Sequence, residues 1–233
     1  MNNLFYSTDI RDGFVRFDEE ESRHLATVLR HKVGDQLVVT DGKGMRYETE
    51  LVETGKKGVI ARILESELRA PEQRARLHVA MAPTKNTDRL EWFLEKAGEM
   101  GIDEFTPLLC KRGIRDRLRY DRLERIMVSA MKQSLRYYLP KLNPLTPFET
   151  LVQNTTAAQR FIPWCDDAPQ PHLRELLRRD QDTLILIGPE GDFSPEEVAL
   201  ARAQQFQEVS LGDVRLRAET AALYVVMGFH WNQ

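Results

Sequence analysis

The hydrophobic pattern of this sequence changes its period near residue 70. Before that position, β-branched and apolar runs separated by glycines predict short strands around one helix at 18–30. After it, strand-like runs alternate with amphipathic segments that have the period of a helix. Such alternation is typical of a mainly parallel α/β sheet. We therefore predict a small β-barrel over residues 1–70 and an α/β domain over residues 71–233.

The pattern also predicts where each element lies. The N-terminal strands span 35–42, 45–54 and 57–66. The strands of the α/β domain span 76–83, 104–110, 160–165, 183–188 and 208–212. Its helices span 87–101, about 121–137, 171–179, 195–205 and a last stretch from about 219. In an open parallel sheet, ligands bind beyond the carboxyl ends of the strands, so the loops there are the first candidates for a site.

Composition argues against several classes of function. Of the 233 residues, 42% are hydrophobic and 30% are charged, which is typical of a soluble globular protein. An apolar run of 18 residues and a secretory pattern are both lacking, so we expect a cytoplasmic protein. Cys110 and Cys165 lack the spacing of a metal site, and the five histidines are scattered. We expect reduced thiols and no metal ion.

The stretch LILIGPEGDFSPEEVALA, residues 184–201, predicts a strand, a tight turn and a helix. Ser194 and Glu197 form the pattern of a capping box, which engages backbone donors that an anion would need. Pro189 has no N–H, and the carboxylates of Glu190 and Asp192 would repel a phosphate. An uncharged or cationic ligand such as S-adenosylmethionine suits this turn better. An ordinary, well-capped turn is the alternative interpretation.

A second strand end lies in VSLGDVRLRAETAAL, residues 209–223. Arg215 and Arg217 precede an alanine-rich helix, and Glu219 or Thr220 suits the positive end of that helix. Arg217 is either an ion-pair partner of Glu219 or a catalytic cation. The residues alone favour the ion pair.

Basic residues are concentrated between residues 111 and 125, although the chain has a net charge of −3. This segment holds seven basic side chains against three acidic ones: Lys111, Arg112, Arg115, Arg117, Arg119, Arg122 and Arg125. Arginine is suited to bidentate contacts with phosphate, so the segment is a candidate RNA-binding surface. A solvated helix face with internal ion pairs explains it equally well.

LIGPEGDFSPEE together with VSLGDVRLRAETAAL resembles the signature of the bacterial ribosomal small-subunit RNA methyltransferase E family, part of the SPOUT superfamily. The resemblance covers nearly the whole chain. RHLATVLRHKVGDQLVVTDGKG, residues 23–44, is similar to the PUA-like N-terminal segment of that family. Three positions depart from it: Asp192 replaces a usual glycine, Asp213 a common proline, and Leu135 a common glycine or cysteine.

The resemblance implies a trefoil-knotted methyltransferase domain behind a PUA-like barrel. It implies a homodimer that uses S-adenosylmethionine to methylate N3 of a uridine in 16S ribosomal RNA of the small subunit. The implied cofactor-binding residues are Ile162, Pro163, Trp164, Ile187, Gly188, Pro189, Glu190, Gly191, Leu211, Gly212, Val214, Leu216 and Thr220. A ribose 2′-O methyltransferase of the same superfamily and a non-catalytic RNA-binding module are the alternatives.

The implied chemistry assigns roles to a few charged residues. Loss of the N3 proton leaves negative charge on the uracil, which a fixed cation would stabilise, and Arg217 is the candidate. Glu219 would orient Arg217 or, less favourably, accept the proton. The residues expected to contact RNA are Arg23, Arg30, Lys32, Lys111, Arg112 and Arg115.

Overall fold

The structure is a computed structural model that describes residues 3–55, 58–71, 75–114, 117–165, 168–178 and 180–231. The chain forms two compact units. One unit is Met1–Glu72 with Val128–Leu139, and the other is Gln73–Met127 with Pro140–Gln233. Residues 128–139 belong by their contacts to the N-terminal unit, and the domain boundary predicted near residue 70 stays a prediction.

The N-terminal unit is built on a six-stranded sheet in the order β1-β4-β5-β6-β3-β2. Its strands are β1 Leu4–Tyr6, β2 Asp9–Arg11, β3 Phe14–Arg16, β4 Gln36–Thr40, β5 Met45–Gly55 and β6 Gly58–Leu68. Strands β1 and β4 are parallel, and the other neighbours are antiparallel. The long pair β5–β6 contains two register shifts, and such irregularities bend a sheet. Closure into a barrel stays a prediction.

The helix predicted at 18–30 is present but has an unusual second half. Helix α1, Glu19–Arg23, is capped by the Asp18 side chain and continues as a π-helical turn, His24–Val28. The sequence pattern did not predict strands β1 to β3, because each has only three residues. A two-residue turn joins β2 to β3, and both of its residues, Asp12 and Gly13, have positive φ, as a tight hairpin requires.

Lys132 attaches the 128–139 segment to the N-terminal unit. Its ammonium lies 2.7 and 2.6 Å from the two carboxylate oxygens of Glu21, which is buried. The backbone continues the attachment, since Gly44 N–H donates to Tyr137 O and Leu139 N–H donates to Gly42 O, both at 2.8 Å. A buried carboxylate needs such a partner, which explains why this segment leaves the unit in which its helix begins.

The C-terminal unit is an α/β unit with a parallel sheet, as predicted. The strands are β7 Leu77–Met81, β8 Glu104–Leu109, β9 Lys141–Leu142, β10 Thr146–Pro147, β11 Gln159–Pro163, β12 Thr183–Ile187 and β13 Gln207–Val209. Their order is β10-β8-β7-β12-β11-β13, with β9 also paired to β8, and every pairing is parallel. The trefoil knot stays a prediction.

The helices of this unit bury both faces of the sheet. They are α2 Thr87–Met100, the first part of α3 (Tyr120–Gln133) up to Met127, α4 Phe148–Asn154, α5 Leu173–Leu176, α6 Pro195–Ala203 and α7 Ala218–Trp231. Helix α5 is shorter than the predicted 171–179, because Leu177 is already extended. Helices α4 and α6 share one apolar core with β7, β8, β11 and β12. Helix α2 packs against α7, which contacts β7 and β12. In the described part of the chain, no helix has the length and apolarity needed to cross a bilayer.

The registers bring three loops to the carboxyl edge of the sheet. Ile187 of β12 pairs with Met81 of β7, and Pro163 of β11 pairs with Val209 of β13. Because β11 also pairs with β12, strands β12, β11 and β13 lie side by side and end together. The loops that follow them contain the residues predicted to bind the cofactor.

Candidate functional site

The predicted cofactor residues lie at the ends of three adjacent strands and differ in burial. Ile162, Ile187 and Pro189 are buried. Pro163, Trp164, Gly188, Leu211 and Leu216 are half-buried. Glu190, Gly191, Gly212, Val214 and Thr220 are exposed. The predicted site therefore contains both buried and exposed residues.

The loop after β12, residues 188–194, is held by the start of helix α6. The Ser194 hydroxyl accepts from Glu197 N–H at 3.3 Å, and Glu197 Oε2 accepts from Ser194 N–H at 2.7 Å. This confirms the predicted capping box, with Pro195 at the first helical position. Phe193 is buried, and a Cβ at Gly188 would lie 3.1 Å from its ring. Only glycine fits at residue 188 without moving that ring.

Arg112 braces the same loop from the segment after β8. Its Nη1 donates to the carbonyl of Gly191 at 2.9 Å and to that of Phe193 at 3.2 Å. The neighbouring Lys111 N–H donates to Glu197 Oε1 at 2.8 Å. The prediction that Arg112 contacts RNA stays a prediction, and the structure adds an intramolecular role that the sequence pattern did not indicate.

Lys111 has a second contact with helix α6. Its ammonium lies 3.2 Å from Glu196 Oε2, and both side chains are exposed. The pKa of Glu196 is lowered to about 2, first by a hydrogen bond with Ser194 and then by bonds with its own backbone and with Lys111. At neutral pH the first turn of α6 is therefore already occupied by carboxylates, which is unfavourable for an added anion.

Arg89 joins the 188–194 loop to the start of α7, and no sequence pattern indicated this role beyond its place in the first turn of α2. Its guanidinium lies 3.7 Å from Glu190 Oε1 and 3.6 Å from Glu219 Oε1. Glu219 is almost buried, with 9% of its side chain exposed, whereas Glu190 is 41% exposed. A buried carboxylate requires a cation nearby, so Arg89 is the partner that Glu219 needs.

The loop after β13, residues 210–217, is held by backbone bonds at its start, where Ser210 N–H donates to Pro171 O at 2.9 Å and Leu173 N–H donates to Ser210 O at 3.0 Å, and by fewer side-chain bonds than the 188–194 loop. The Ser210 hydroxyl accepts from Gly212 N–H at 3.0 Å, and Gly212 has φ +118°, a conformation that favours glycine. The side chains of Val214, Arg215 and Arg217 are exposed, with Val214 at 71%. Among the described residues, Glu219 pairs with Arg89, and no ion pair joins it to Arg217. Arg217 is therefore an exposed cation at the edge of the predicted site.

Trp164 contributes an aromatic surface that is fixed at its polar edge. Its indole N–H donates to Glu208 Oε2 at 2.8 Å. The pKa of Glu208 is lowered, mainly by a hydrogen bond from Arg202 and also by the one from Trp164, although burial opposes both. The carboxylate therefore stays ionised and keeps the indole oriented.

The remaining residues predicted to bind RNA are surface residues. Arg23, Arg30 and Lys32 are exposed in the N-terminal unit. Arg115 lies outside the described residues. Part of the basic segment is internally paired, since Arg122 lies 2.5 Å from Glu91 and Arg119 lies 3.9 Å from it. The ion-paired interpretation therefore applies to Arg119 and Arg122, and RNA contact by this segment stays a prediction.

The chemistry of the site suits a ligand with a positive charge and an apolar ring. The first turn of α6 is closed by its own side chains, and Pro189 cannot donate. Glu190 offers a carboxylate, while Trp164, Val214 and Leu216 offer apolar surface at its edge. In the described part of the chain, no group of three or more histidine, cysteine or carboxylate side chains is arranged to hold a metal ion.

Comparison with known proteins assigns the family. Residues 71–229 match the model of an RNA methyltransferase domain, and residues 17–64 match that of an RNA methyltransferase PUA domain. Ribosomal RNA small subunit methyltransferase E of Mycobacterium bovis is 30% identical over 94% of this chain and 87% of its own length. A probable rRNA-methyltransferase from Porphyromonas gingivalis is 39% identical, with a TM-score of 0.93 over 99% of this chain and 98% of its own. A putative methyltransferase from Legionella pneumophila, in complex with the bound cofactor SAM, is 25% identical, with a TM-score of 0.89 over 99% and 98% of the two chains. The chain belongs to the RNA methyltransferase family, with a PUA-like N-terminal domain, and within it to ribosomal RNA small subunit methyltransferase E.

Proposed function

We propose that this protein transfers the methyl group of S-adenosylmethionine to N3 of a uridine in 16S ribosomal RNA. The observation that carries the proposal is the meeting of the 188–194 and 210–217 loops at one edge of a parallel sheet. Those loops contain the two motifs that resemble the family signature, and family membership supports the same activity.

The cofactor would supply a methyl group on a positively charged sulfur. The backbone of Gly188–Gly191 and Leu211–Leu216 would hold its adenosine, whose hydroxyl and amine groups suit carbonyl and N–H partners. Ile162, which is buried, and the half-buried Pro163 and Trp164 would contact it from the end of β11. Glu190, which is 3.7 Å from Arg89, adds a carboxylate to this side of the site, and the lack of a donor at Pro189 is unfavourable for a nucleoside phosphate.

Arg217 would stabilise the uracil as its N3 proton is lost. The side chain is exposed at the edge of the predicted site, where an incoming base can reach it. The base must leave its stack to arrive there, as other base-modifying enzymes require. Glu219 pairs with Arg89, which supports a role in positioning the start of α7 rather than in accepting the proton.

We also propose partners and a cellular location for this protein. Arg23, Arg30, Lys32, Lys111 and Arg112 would approach the phosphates of the small subunit, and Arg115 would join them. We propose a homodimer with apolar surface of α7 at its interface, because Tyr224 and Trp231 are exposed on that helix. The protein would act in the cytoplasm, where ribosomes are assembled.

The test is methyl transfer to small ribosomal subunits from cells that lack this activity. The protein is incubated with labelled S-adenosylmethionine and the subunits, and digested RNA is examined by mass spectrometry. We expect label on N3 of one uridine. Label on a ribose 2′-oxygen would indicate the alternative activity, and failure to bind the cofactor in calorimetry would indicate a non-catalytic module.

A further inference from the structure

Asp192 occupies an unusual conformation in the 188–194 loop. Its φ is +61°, in the left-handed region where glycine is favoured. It is also one of the three positions at which this sequence departs from the resemblance described above. Aspartate tolerates the left-handed region better than most residues with a side chain, but it still needs contacts that offset the strain.

The carboxylate of Asp192 supplies those contacts through two backbone N–H groups. Oδ1 accepts from Phe193 N–H at 2.8 Å, and Oδ2 accepts from Cys165 N–H at 2.9 Å. Cys165 follows the end of β11, so the second bond joins two loops that are 27 residues apart. Hydrogen bonds to an ionised carboxylate are stronger than neutral ones, and glycine makes neither of them.

The same carboxylate packs against the start of the loop. A Cβ at Gly188 would lie 3.3 Å from Asp192 Oδ1, so the carboxylate lies over this glycine. On the other side, Arg112 holds the Gly191 carbonyl. The turn between these contacts contains Pro189 and Glu190, which are proposed to line the cofactor site.

We propose that Asp192 is a positioning residue that fastens the 188–194 loop to the end of β11 and thereby preforms the binding site for the methyl donor. The inference rests on the proposed function, because it concerns the same site. The two hydrogen bonds hold the carboxylate side of the loop in one conformation. A preformed loop loses less conformational freedom when the ligand binds, which raises affinity.

The Cys165 thiol offers an independent probe of this contact. Its pKa is raised, first by burial and then by the carboxylate of Asp192, while Arg215 lowers it. Cys165 is exposed and Cys110 is buried, so a thiol reagent distinguishes the two. Removal of the Asp192 charge is therefore expected to speed the alkylation of Cys165.

The experiment measures S-adenosylmethionine affinity by calorimetry for the wild type and three variants of the full chain. Asp192→Ala loses both bonds and keeps the strain, so it should bind most weakly. Asp192→Gly loses both bonds and relieves the strain, and we expect a loss of about tenfold. Asp192→Asn keeps one acceptor and should lose about threefold. Thermal unfolding checks that each variant is folded at the temperature of the titration.

Asp12 provides the matched control. It has φ +55° and lies in the β2–β3 turn of the N-terminal unit. Asp12→Gly makes the same backbone change, so it should leave cofactor affinity and Cys165 alkylation unchanged. Asp192→Gly with wild-type affinity, or Asp192→Asn without faster Cys165 alkylation, would overturn the fastening alone. A wild-type protein that binds no S-adenosylmethionine would instead overturn the proposed function.

Discussion

Two loops at the same edge of the sheet are held in different ways. In the 188–194 loop, side chains bind the backbone from three sides: Asp192, Arg112 and the capping box. In the 210–217 loop, one serine hydroxyl binds Gly212 N–H, and the long side chains are exposed. We propose that both loops contact the cofactor, that the first does so in a fixed conformation, and that the exposed side chains of the second also meet the RNA.

The largest expected effect is on the exposed loop. Arg217→Ala should lower the rate of methyl transfer by about a hundredfold or more, because a fixed charge near the uracil is lost. Cofactor affinity should stay within about twofold, as calorimetry would show. Arg217→Lys is the matched variant, since it keeps the charge and should recover part of the rate. Wild-type turnover in Arg217→Ala would remove this residue from the mechanism.

The second largest expected effect is on the 188–194 loop. Gly188→Ala places a methyl group 3.1 Å from the buried ring of Phe193, so the ring or the loop must move. We expect a loss of about 1 to 3 kcal/mol in the free energy of unfolding. Cofactor affinity should fall as well. Gly55→Ala is the control, because its added Cβ meets no atom within 4 Å. Equal free energies of unfolding for the two variants would show that the 188–194 loop accommodates the added methyl group without loss of stability.

Substitution of Arg112 distinguishes its hydrogen bonds to the 188–194 loop from a contact with RNA. Arg112→Ala leaves the carbonyls of Gly191 and Phe193 without this donor, and we expect cofactor affinity to fall about tenfold. The measurement is calorimetry without RNA. Arg62→Ala, which removes an exposed arginine paired with Glu50 in the N-terminal unit, should leave that affinity unchanged. Unchanged affinity in Arg112→Ala, with weaker RNA binding, would assign Arg112 to the RNA alone.

The smallest effect concerns the exposed N-terminal cations. Arg30→Ala and Lys32→Ala should each weaken binding to small subunits a few-fold and reduce the salt dependence by about one phosphate contact. Both variants should bind S-adenosylmethionine like the wild type. Filter binding over a series of salt concentrations tests this. A slope that stays at the wild-type value would exclude these residues from the RNA surface.

Local sequence patterns predicted the features that depend on neighbouring residues. The capping box of Ser194 and Glu197 lies within four residues, so its residue types identified it. The alternation of strands and helices after residue 70 likewise predicted the parallel sheet. The resemblance to the family then supplied the candidate cofactor and the choice of loops.

Contacts between distant residues could not be predicted in this way. Arg89 meets Glu190 and Glu219 only after the sheet has brought α2 beside α7. Lys132 and Glu21 are 111 residues apart, so no local sequence pattern indicates that the 128–139 segment belongs to the N-terminal unit. Asp192 was noticed as a departure from the family, but its partner Cys165 became evident only from the fold.

The most direct test of the division between the two loops is a crystal structure with S-adenosylmethionine bound. We predict that the adenosine contacts the backbone of 187–191 and 211–216, with the 188–194 loop unchanged and the methyl group facing Arg217. A cofactor bound away from these two loops, or a 188–194 loop that rearranges to admit it while the 210–217 loop stays in place, would contradict the account.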